Sequence, residues 1–183
     1  NGEEWPFPFV HIVNSRFMQD QGNLTELARA RLVLFENFCV GSMTNQSLLQ
    51  LGLNPAPFLW IIKVDPNLSD GIRQKLLSLV KPYPFIYIVA SNVNFGIGIH
   101  PGGWRGGEAG NDVLSSKIYS GDIKWLRIAH ESRNSRAILE TRLDADDGLH
   151  TSYLEVIQKE AKARLRCTDK VYSSSRQDWM YWC

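Results

Sequence analysis

Short apolar runs rich in β-branched and aromatic residues alternate along this chain with stretches whose apolar residues recur at helical spacing. The runs lie at 9–13, 58–64, 85–90 and 137–143. Runs of this kind predict buried strands, and the helical spacing between them predicts amphipathic helices. Strands that alternate with helices favour a mostly parallel sheet covered on both faces. We therefore expect an α/β domain with three layers (αβα) and a Rossmann-type core.

The first helix is expected to begin near Asn23, because Asn23 followed by Glu26 forms a capping pair. Its predicted apolar face comprises Leu24, Ala28, Leu32, Phe35 and Cys39. The second helix is marked by Ile72, Leu76, Leu77 and Val80. Two further helices are expected at about 123–131 and 154–165.

Length and composition favour one compact domain over residues 1–183. The chain is 44% hydrophobic and 21% charged, enough apolar material for one sizeable core and none of the polar bias of disordered chains. It begins without Met and stops directly after an apolar aromatic stretch, as a segment cut from a longer protein would.

Charge and hydropathy limit the partners that the chain is expected to have. The net charge is +1 and the basic residues are scattered, so nucleic acid is not expected as a partner. No stretch approaches the roughly 18 consecutive apolar residues of a membrane span. The N-glycosylation patterns that begin at Asn23, Asn45 and Asn67 would suit a Golgi or secretory lumen in a eukaryote, whereas a bacterial protein would be cytoplasmic.

Polar side chains follow three of the predicted strands. Asn14, Ser15 and Arg16 follow the first strand, Asp65 follows the second, and Asp144 follows the fourth. Ligands of open parallel sheets bind at the carboxyl ends of the strands. We therefore expect these residues to line one rim of the sheet.

An acidic cluster follows the fourth strand, with Asp144, Asp146 and Asp147 within Leu143–Gly148. Three neighbouring carboxylates repel one another unless a cation or hydrogen-bond donors compensate them. Mg²⁺ or Mn²⁺ is typically held by one or two carboxylates while substrate phosphates and waters complete its shell. The cluster therefore predicts a metal site that takes a nucleotide diphosphate. The alternative is a solvated turn that caps the following helix.

Within the cluster, an extended backbone would direct Asp144 and Asp146 to one side and Asp147 to the other. We assign Asp146 to the metal, Asp144 to the metal or the donor ribose, and Asp147 to the sugar. Arg16 and Arg142 are candidate phosphate ligands, although Arg142 could equally neutralise a neighbouring aspartate. Asp65 is expected either to accept a hydrogen bond from the base or ribose, or to form an Asx turn.

Three stretches resemble a known family. They are the sequences at 11–17, 58–66 and 141–149, and the last is the most specific. They resemble the rhamnosyltransferases, which have the glycosyltransferase A (GT-A) fold of nucleotide-diphospho-sugar transferases. The resemblance implies an Asp-x-Asp (DxD) element for metal and donor, with Ser15, Arg16 and Asp65 at the nucleotide edge of the sheet. It implies a metal-dependent glycosyltransferase that moves a sugar to a glycan, protein or lipid acceptor, and the motifs do not distinguish rhamnose from other sugars.

The long glycine-rich stretch at 92–111 matches neither a phosphate-binding loop nor a dinucleotide fingerprint, which excludes the common ATPase and dehydrogenase patterns. His100, Trp104 and Arg105 belong either to a lid over the ligand or to an ordinary surface loop. His11, inside an apolar strand, is expected to be a core histidine. His150, just after the acidic cluster, is a further candidate near the metal.

Two other functions compete with the transferase. Little chain follows Asp147, and no residue can be named as the catalytic base that an inverting transfer requires. A non-catalytic nucleotide-sugar or carbohydrate-binding module with the same fold is therefore the main alternative. A metal-dependent phosphohydrolase is the second, but its usual aspartate after the first strand is replaced by Asn14.

Overall fold

A five-stranded mixed sheet organises the computed structural model, which describes residues 4–91, 113–132 and 135–168. The strands are β1 (Phe9–Phe17), β2 (Leu59–Val64), β3 (Ile86–Ala90), β4 (Lys117–Ile118) and β5 (Ala137–Arg142). Their order is β4-β3-β2-β1-β5, and every pairing is parallel except that of β3 with β4. The prediction of a mostly parallel α/β sheet is confirmed.

The helices connect the strands in the predicted alternation. They are α1 (Thr25–Leu34), α2 (Gly41–Thr44), α3 (Asp70–Val80), α4 (Ile123–Ser132) and α5 (Tyr153–Thr168). A π-helical segment, Phe35–Val40, joins α1 to α2, and short 3₁₀ helices cover Ser47–Leu51 and Val113–Ser115. No helix in the described ranges has both the length and the apolar character needed to cross a bilayer.

Helices pack on both faces of the sheet. On one face, the α1 face, buried residues such as Val13, Trp60 and Ile88 contact residues of α1, α3 and α5. On the other face, the α4 face, Ile12 and Ile61 belong to a core that also contains Leu126 and Ala129 of α4. Both faces of the central strands are apolar because both are covered.

Two local predictions were wrong, and one short strand was not predicted. β1 continues through Asn14, Ser15 and Arg16 to Phe17, so these polar residues lie within the strand rather than in a loop after it. The first helix has Leu24 at its N-cap and no side-chain cap hydrogen bond, so the pair of Asn23 and Glu26 does not cap it. Strand β4 was not predicted, because it is only two residues long.

The strand order identifies where a ligand site is expected. From β1 the chain proceeds outward through β2 and β3, and later returns to place β5 on the other side of β1. Ligands of such sheets bind in the crevice where the strand order reverses. In this fold that crevice lies at the carboxyl ends of β1 and β5.

Candidate functional site

A cavity of about 310 Å³ lies at the carboxyl ends of β1 and β5. Its walls come from the loop after β1, from α1 and from the segment after β5. The lining residues are Arg16, Met18, Gln19, Gln21, Arg31, Asp144, Ala145 and Asp146. A larger cavity of about 670 Å³ lies beside Tyr83, Pro84 and Tyr119, at the opposite edge of the sheet. The smaller cavity is the candidate functional site, because it coincides with the reversal of the strand order.

The loop after β1 has an unusual backbone. Met18 and Asp20 have φ angles of 56° and 58°, in the left-handed region that non-glycine residues rarely adopt. Local contacts hold this conformation, since Gln21 N donates to Met18 O at 3.1 Å and the Gln19 side chain donates to Ser91 O at 2.8 Å. Strained backbone that is held in this way is concentrated at functional sites.

The acidic cluster forms a turn rather than the extended segment that was expected. Leu143 N still donates to Asn14 O, which continues the pairing of β5 with β1, and Asp147 N then donates to Asp144 O at 3.1 Å. Asp144 and Asp146 both line the cavity, and the exposed Asp147 does not. The turn, and not an extended backbone, directs Asp144 and Asp146 to the cavity, and the roles assigned to the three carboxylates stay predictions.

The π-helical segment and α2 support this turn through Cys39 and Ser42. Ser42 Oγ accepts a hydrogen bond from Leu149 N at 3.1 Å and donates to Cys39 O at 3.0 Å. The Cys39 thiol lies 3.8 Å from Asp144 O. Burial, followed by the charges of Asp147 and Asp146, raises the pKa of Cys39 to about 12. The thiol is therefore protonated at neutral pH and serves packing rather than nucleophilic chemistry.

Two arginines and two aspartates line the same cavity. Arg16 comes from the end of β1 and Arg31 from α1, where its guanidinium donates to Gln21 Oε1 at 2.9 Å. All four side chains belong to the described residues, and no ion pair within 4 Å joins an arginine to an aspartate. The cavity therefore combines cations and anions that do not neutralise each other directly.

Asp144 and Asp146 are the candidate ligands of the predicted divalent metal. Among the described residues, no three His, Cys, Asp or Glu side chains gather into a group that could hold a metal ion. Mg²⁺ and Mn²⁺ do not require such a cage, because one or two carboxylates suffice when substrate phosphates and waters complete the shell. The pair Asp144 and Asp146, exposed to the same cavity, fits that requirement only in combination with a phosphate ligand.

Ser15 and Asp65 lie away from the cavity. Ser15 is 2% exposed on the α1 face, and its hydroxyl accepts a hydrogen bond from Trp60 Nε1 at 2.8 Å. Asp65 accepts hydrogen bonds from Asn67 N at 2.7 Å and from Gly22 N at 3.1 Å. The first bond is the Asx turn that was the alternative expectation, and the second fixes the loop after β1. Both residues therefore support the site structurally.

Asn14 and Arg142 lie next to the cavity on the α4 face. They are partners in the register of β1 with β5, and Asn14 Nδ2 donates to Glu140 Oε1 at 2.7 Å. His150 lies at the start of α5, where its Nδ1 is 3.0 Å from Ser152 Oγ, and it does not line the cavity. The candidate lid residues His100, Trp104 and Arg105 fall outside the described residues.

Sequence reasoning missed Arg31, Gln19 and Gln21. Arg31 lies in an amphipathic helix, where an arginine ordinarily belongs to the solvated face, and no local signal separates it from Arg29. The two glutamines were not predicted as site residues because the end of β1 was predicted too early.

Taken together, the cavity offers guanidinium groups for phosphate oxygens and carboxylates for a divalent cation. Comparison with known protein families, curated proteins and solved structures gave no match for this chain.

Proposed function

We propose that this chain is the donor-binding core of a metal-dependent glycosyltransferase with a GT-A type fold. The observation that carries the proposal is the cavity at the strand reversal, which Arg16 and Arg31 line together with Asp144 and Asp146 without pairing with them. A nucleoside diphosphate sugar has the complementary chemistry, since its diphosphate suits the arginines and bridges to a cation on the aspartates.

Each group has a defined task in this proposal. Arg16 and Arg31 bind diphosphate oxygens and stabilise the negative charge that grows on them as the bond to the sugar breaks. Asp146, with Asp144, would hold Mg²⁺ or Mn²⁺, which supplies Lewis-acid stabilisation of the departing diphosphate. Asp144 lines the cavity and is also assigned as an acceptor for a hydrogen bond from the ribose, and Asp147 is assigned to the sugar.

The donor site is tested by thermal unfolding with a panel of nucleoside diphosphates and their sugars, each with and without Mn²⁺. A ligand at about 100 times its dissociation constant stabilises the fold by about 2.7 kcal/mol. We expect one nucleotide to raise the melting temperature, and to do so more strongly with Mn²⁺. The absence of any shift across the panel would refute the proposed donor site.

The metal assignment is tested by Asp146→Asn. Because Asp146 is exposed, the unliganded variant should melt at the wild-type temperature, while the Mn²⁺-dependent part of the nucleotide shift should disappear. Asp70→Asn is the control for the loss of an exposed carboxylate away from the cavity. Because Asp70 pairs with Arg73 on α3, only the Mn²⁺ dependence of the nucleotide shift is compared between the two variants. Unchanged Mn²⁺ dependence in Asp146→Asn would remove the metal assignment. Donor binding without transfer or hydrolysis would favour the non-catalytic module.

A further inference from the structure

The interior of the sheet contains a buried lysine that the proposed donor site does not yet use. Lys63 lies in the second-to-last position of β2 and is 4% exposed. It makes no hydrogen bond and no ion pair in the part of the chain that the structure describes. An unpaired buried charge is costly, and proteins retain one chiefly where a ligand or a function compensates it.

Register places Lys63 beside the candidate phosphate ligands. Lys63 pairs with Arg16 of β1, and Asn14, two residues before Arg16, pairs with Arg142 of β5. In-register residues of parallel strands point to the same face, as do residues two apart along one strand. Arg16, Lys63 and Arg142 therefore share the α4 face at the carboxyl ends of three adjacent strands.

Among the described residues, Lys63 is influenced by more cations than carboxylates. Glu140 is the carboxylate that acts on Lys63, and it accepts a hydrogen bond from Asn14 Nδ2 at 2.7 Å rather than pairing with the ammonium. The Asn14 amide orientation is fixed by that bond, because a carboxylate only accepts. Asn14 Oδ1 is then a buried acceptor with no partner among the described residues. The charge of Lys63 is thus influenced by two cations, Arg16 and Arg142, and by one carboxylate, Glu140, and an unsatisfied acceptor lies on the same face.

We propose that Lys63 binds a phosphate oxygen of the ligand together with Arg16 and Arg142, so that the phosphate side of the site extends from the cavity onto the α4 face. The identity of the ligand as a nucleoside diphosphate rests on the proposed function. Binding of a phosphate group by Lys63 does not depend on the metal or on the sugar. The bound phosphate compensates the charge of the buried Lys63 ammonium, and this compensation is the physical gain that favours the complex.

The protonation state of Lys63 provides an independent readout. Burial lowers the pKa of Lys63 to about 8; the charge of Glu140 opposes this shift, and those of Arg16 and Arg142 add to it. On β3 the neighbour in register is Val89, and α4 contributes Leu126 and Ala129 to this face. Since only the ammonium attracts an anion, binding should weaken as the pH rises above about 8.

The test uses inorganic pyrophosphate without metal, and calorimetry on the wild-type chain, Lys63→Met and Lys63→Arg. We expect Lys63→Met to weaken pyrophosphate binding by about tenfold or more, as the loss of one charge-assisted hydrogen bond would. The decrease in affinity between pH 7 and 9 that is expected for the wild type should be absent from this variant. Lys63→Arg should retain part of the affinity. Lys75→Met, at an exposed position of α3, is the matched control and should bind like the wild type.

Thermal unfolding separates this role from a structural one. Replacing an unpaired buried charge by a methionine of similar volume should raise the melting temperature, so Lys63→Met should be more stable and bind less. A folded Lys63→Met that binds pyrophosphate like the wild type would overturn the inference. If Lys63→Met loses pyrophosphate binding while Asp146→Asn keeps Mn²⁺-dependent nucleotide binding, the inference stands and the metal assignment of the proposed function fails. The reverse pattern preserves the function and rejects Lys63, and a wild-type chain that binds neither ligand rejects both.

Discussion

At the scale of single residues, His11 illustrates how a polar group is accommodated in the core. It is completely buried in β1, with Nε2 3.0 Å from Thr141 Oγ1 and Nδ1 3.0 Å from Gln158 Nε2. Gln158 Nε2 also donates to Pro57 O, so it is the amide nitrogen, and His11 Nδ1 must accept from it. His11 is therefore a neutral histidine with its proton on Nε2. Its position in an apolar strand predicted that it would be a core residue.

The neutral state of His11 makes stability depend on pH. Burial lowers the pKa of His11 from 6.5 to about 3, so the unfolded chain binds more protons between these two values. By linkage, the free energy of unfolding should fall as the pH decreases from 6.5 toward 3. Urea denaturation at pH 4 and pH 7 measures this fall, which should be smaller in His11→Gln. Identical pH profiles for the two chains would contradict the assignment.

Gly22 is required by its close approach to Asp65. A Cβ at position 22 would lie 2.7 Å from Asp65 Cγ, and two backbone hydrogen bonds hold that carboxylate in place. We expect Gly22→Ala to lower the free energy of unfolding by about 1–3 kcal/mol, the usual cost of overpacking. Gly71→Ala is the control, since its Cβ would meet nothing within 4 Å and helix propensity should make it up to about 1 kcal/mol more stable. Equal stability of the two variants in urea denaturation would show that the Asp65 side chain moves at little cost to make room for the added Cβ.

At the scale of elements, the sequence predicted the central strands and main helices well, because burial imposes strong periodic patterns on them. β2 and α3 were predicted to within a few residues. The pattern failed where polar residues continue a strand. Asn14 and Arg16 interrupt the apolar run of β1, yet the pairing of β1 with β2 continues past both to Phe17, and the pairing with β5 reaches Asn14. The same error concealed Lys63, whose relation to Arg16 exists only through the register of two strands.

The segment that holds the acidic turn was also beyond prediction, since it depends on contacts between distant parts of the chain. Gln46 is fully buried and bridges them: its Nε2 donates to Ser42 O and His150 O, and its Oε1 accepts from Leu154 N. A lone glutamine between two apolar stretches gives no indication of this role. The turn at Asp144–Asp147 is thus connected, through α2, to the start of α5.

Removing the Gln46 amide should therefore affect both stability and binding. In Gln46→Met, buried backbone groups lose their partners, and each such loss costs about 1–3 kcal/mol. Urea denaturation should show a loss of at least that size, and the nucleotide-induced shift in melting temperature should shrink because the acidic turn is less fixed. Asn45→Met removes an exposed amide from the adjacent position and should do neither. If Gln46→Met is as stable as the wild type and shows the same nucleotide-induced shift in melting temperature, Gln46 does not support the site.

At the scale of the whole molecule, strand order decides both where the ligand binds and which parts of the sheet are most stable. β2 lies between β1 and β3, and all six of its residues are buried. Among the strands that the structure describes, β5 is the outermost one beyond β1, and its residues include the exposed Arg142. Outer strands open locally more readily than central strands, which are protected up to global unfolding. The proposed donor site thus combines the stable end of β1 with the less stable end of β5.

Hydrogen exchange followed by mass spectrometry measures this difference directly. Peptides covering β2 should exchange slowest, at the rate set by global unfolding, while peptides covering β5 and the acidic turn should exchange through local opening and therefore faster. Because the proposed ligand bridges arginines near β1 to aspartates after β5, a bound nucleoside diphosphate with Mn²⁺ should slow exchange at β5 and the turn selectively. Asp146→Asn should lose this protection and keep the unliganded pattern. Equal exchange of β5 and β2 without ligand would show that the sheet opens only as a whole, and ligand protection confined to other peptides would place the binding site elsewhere.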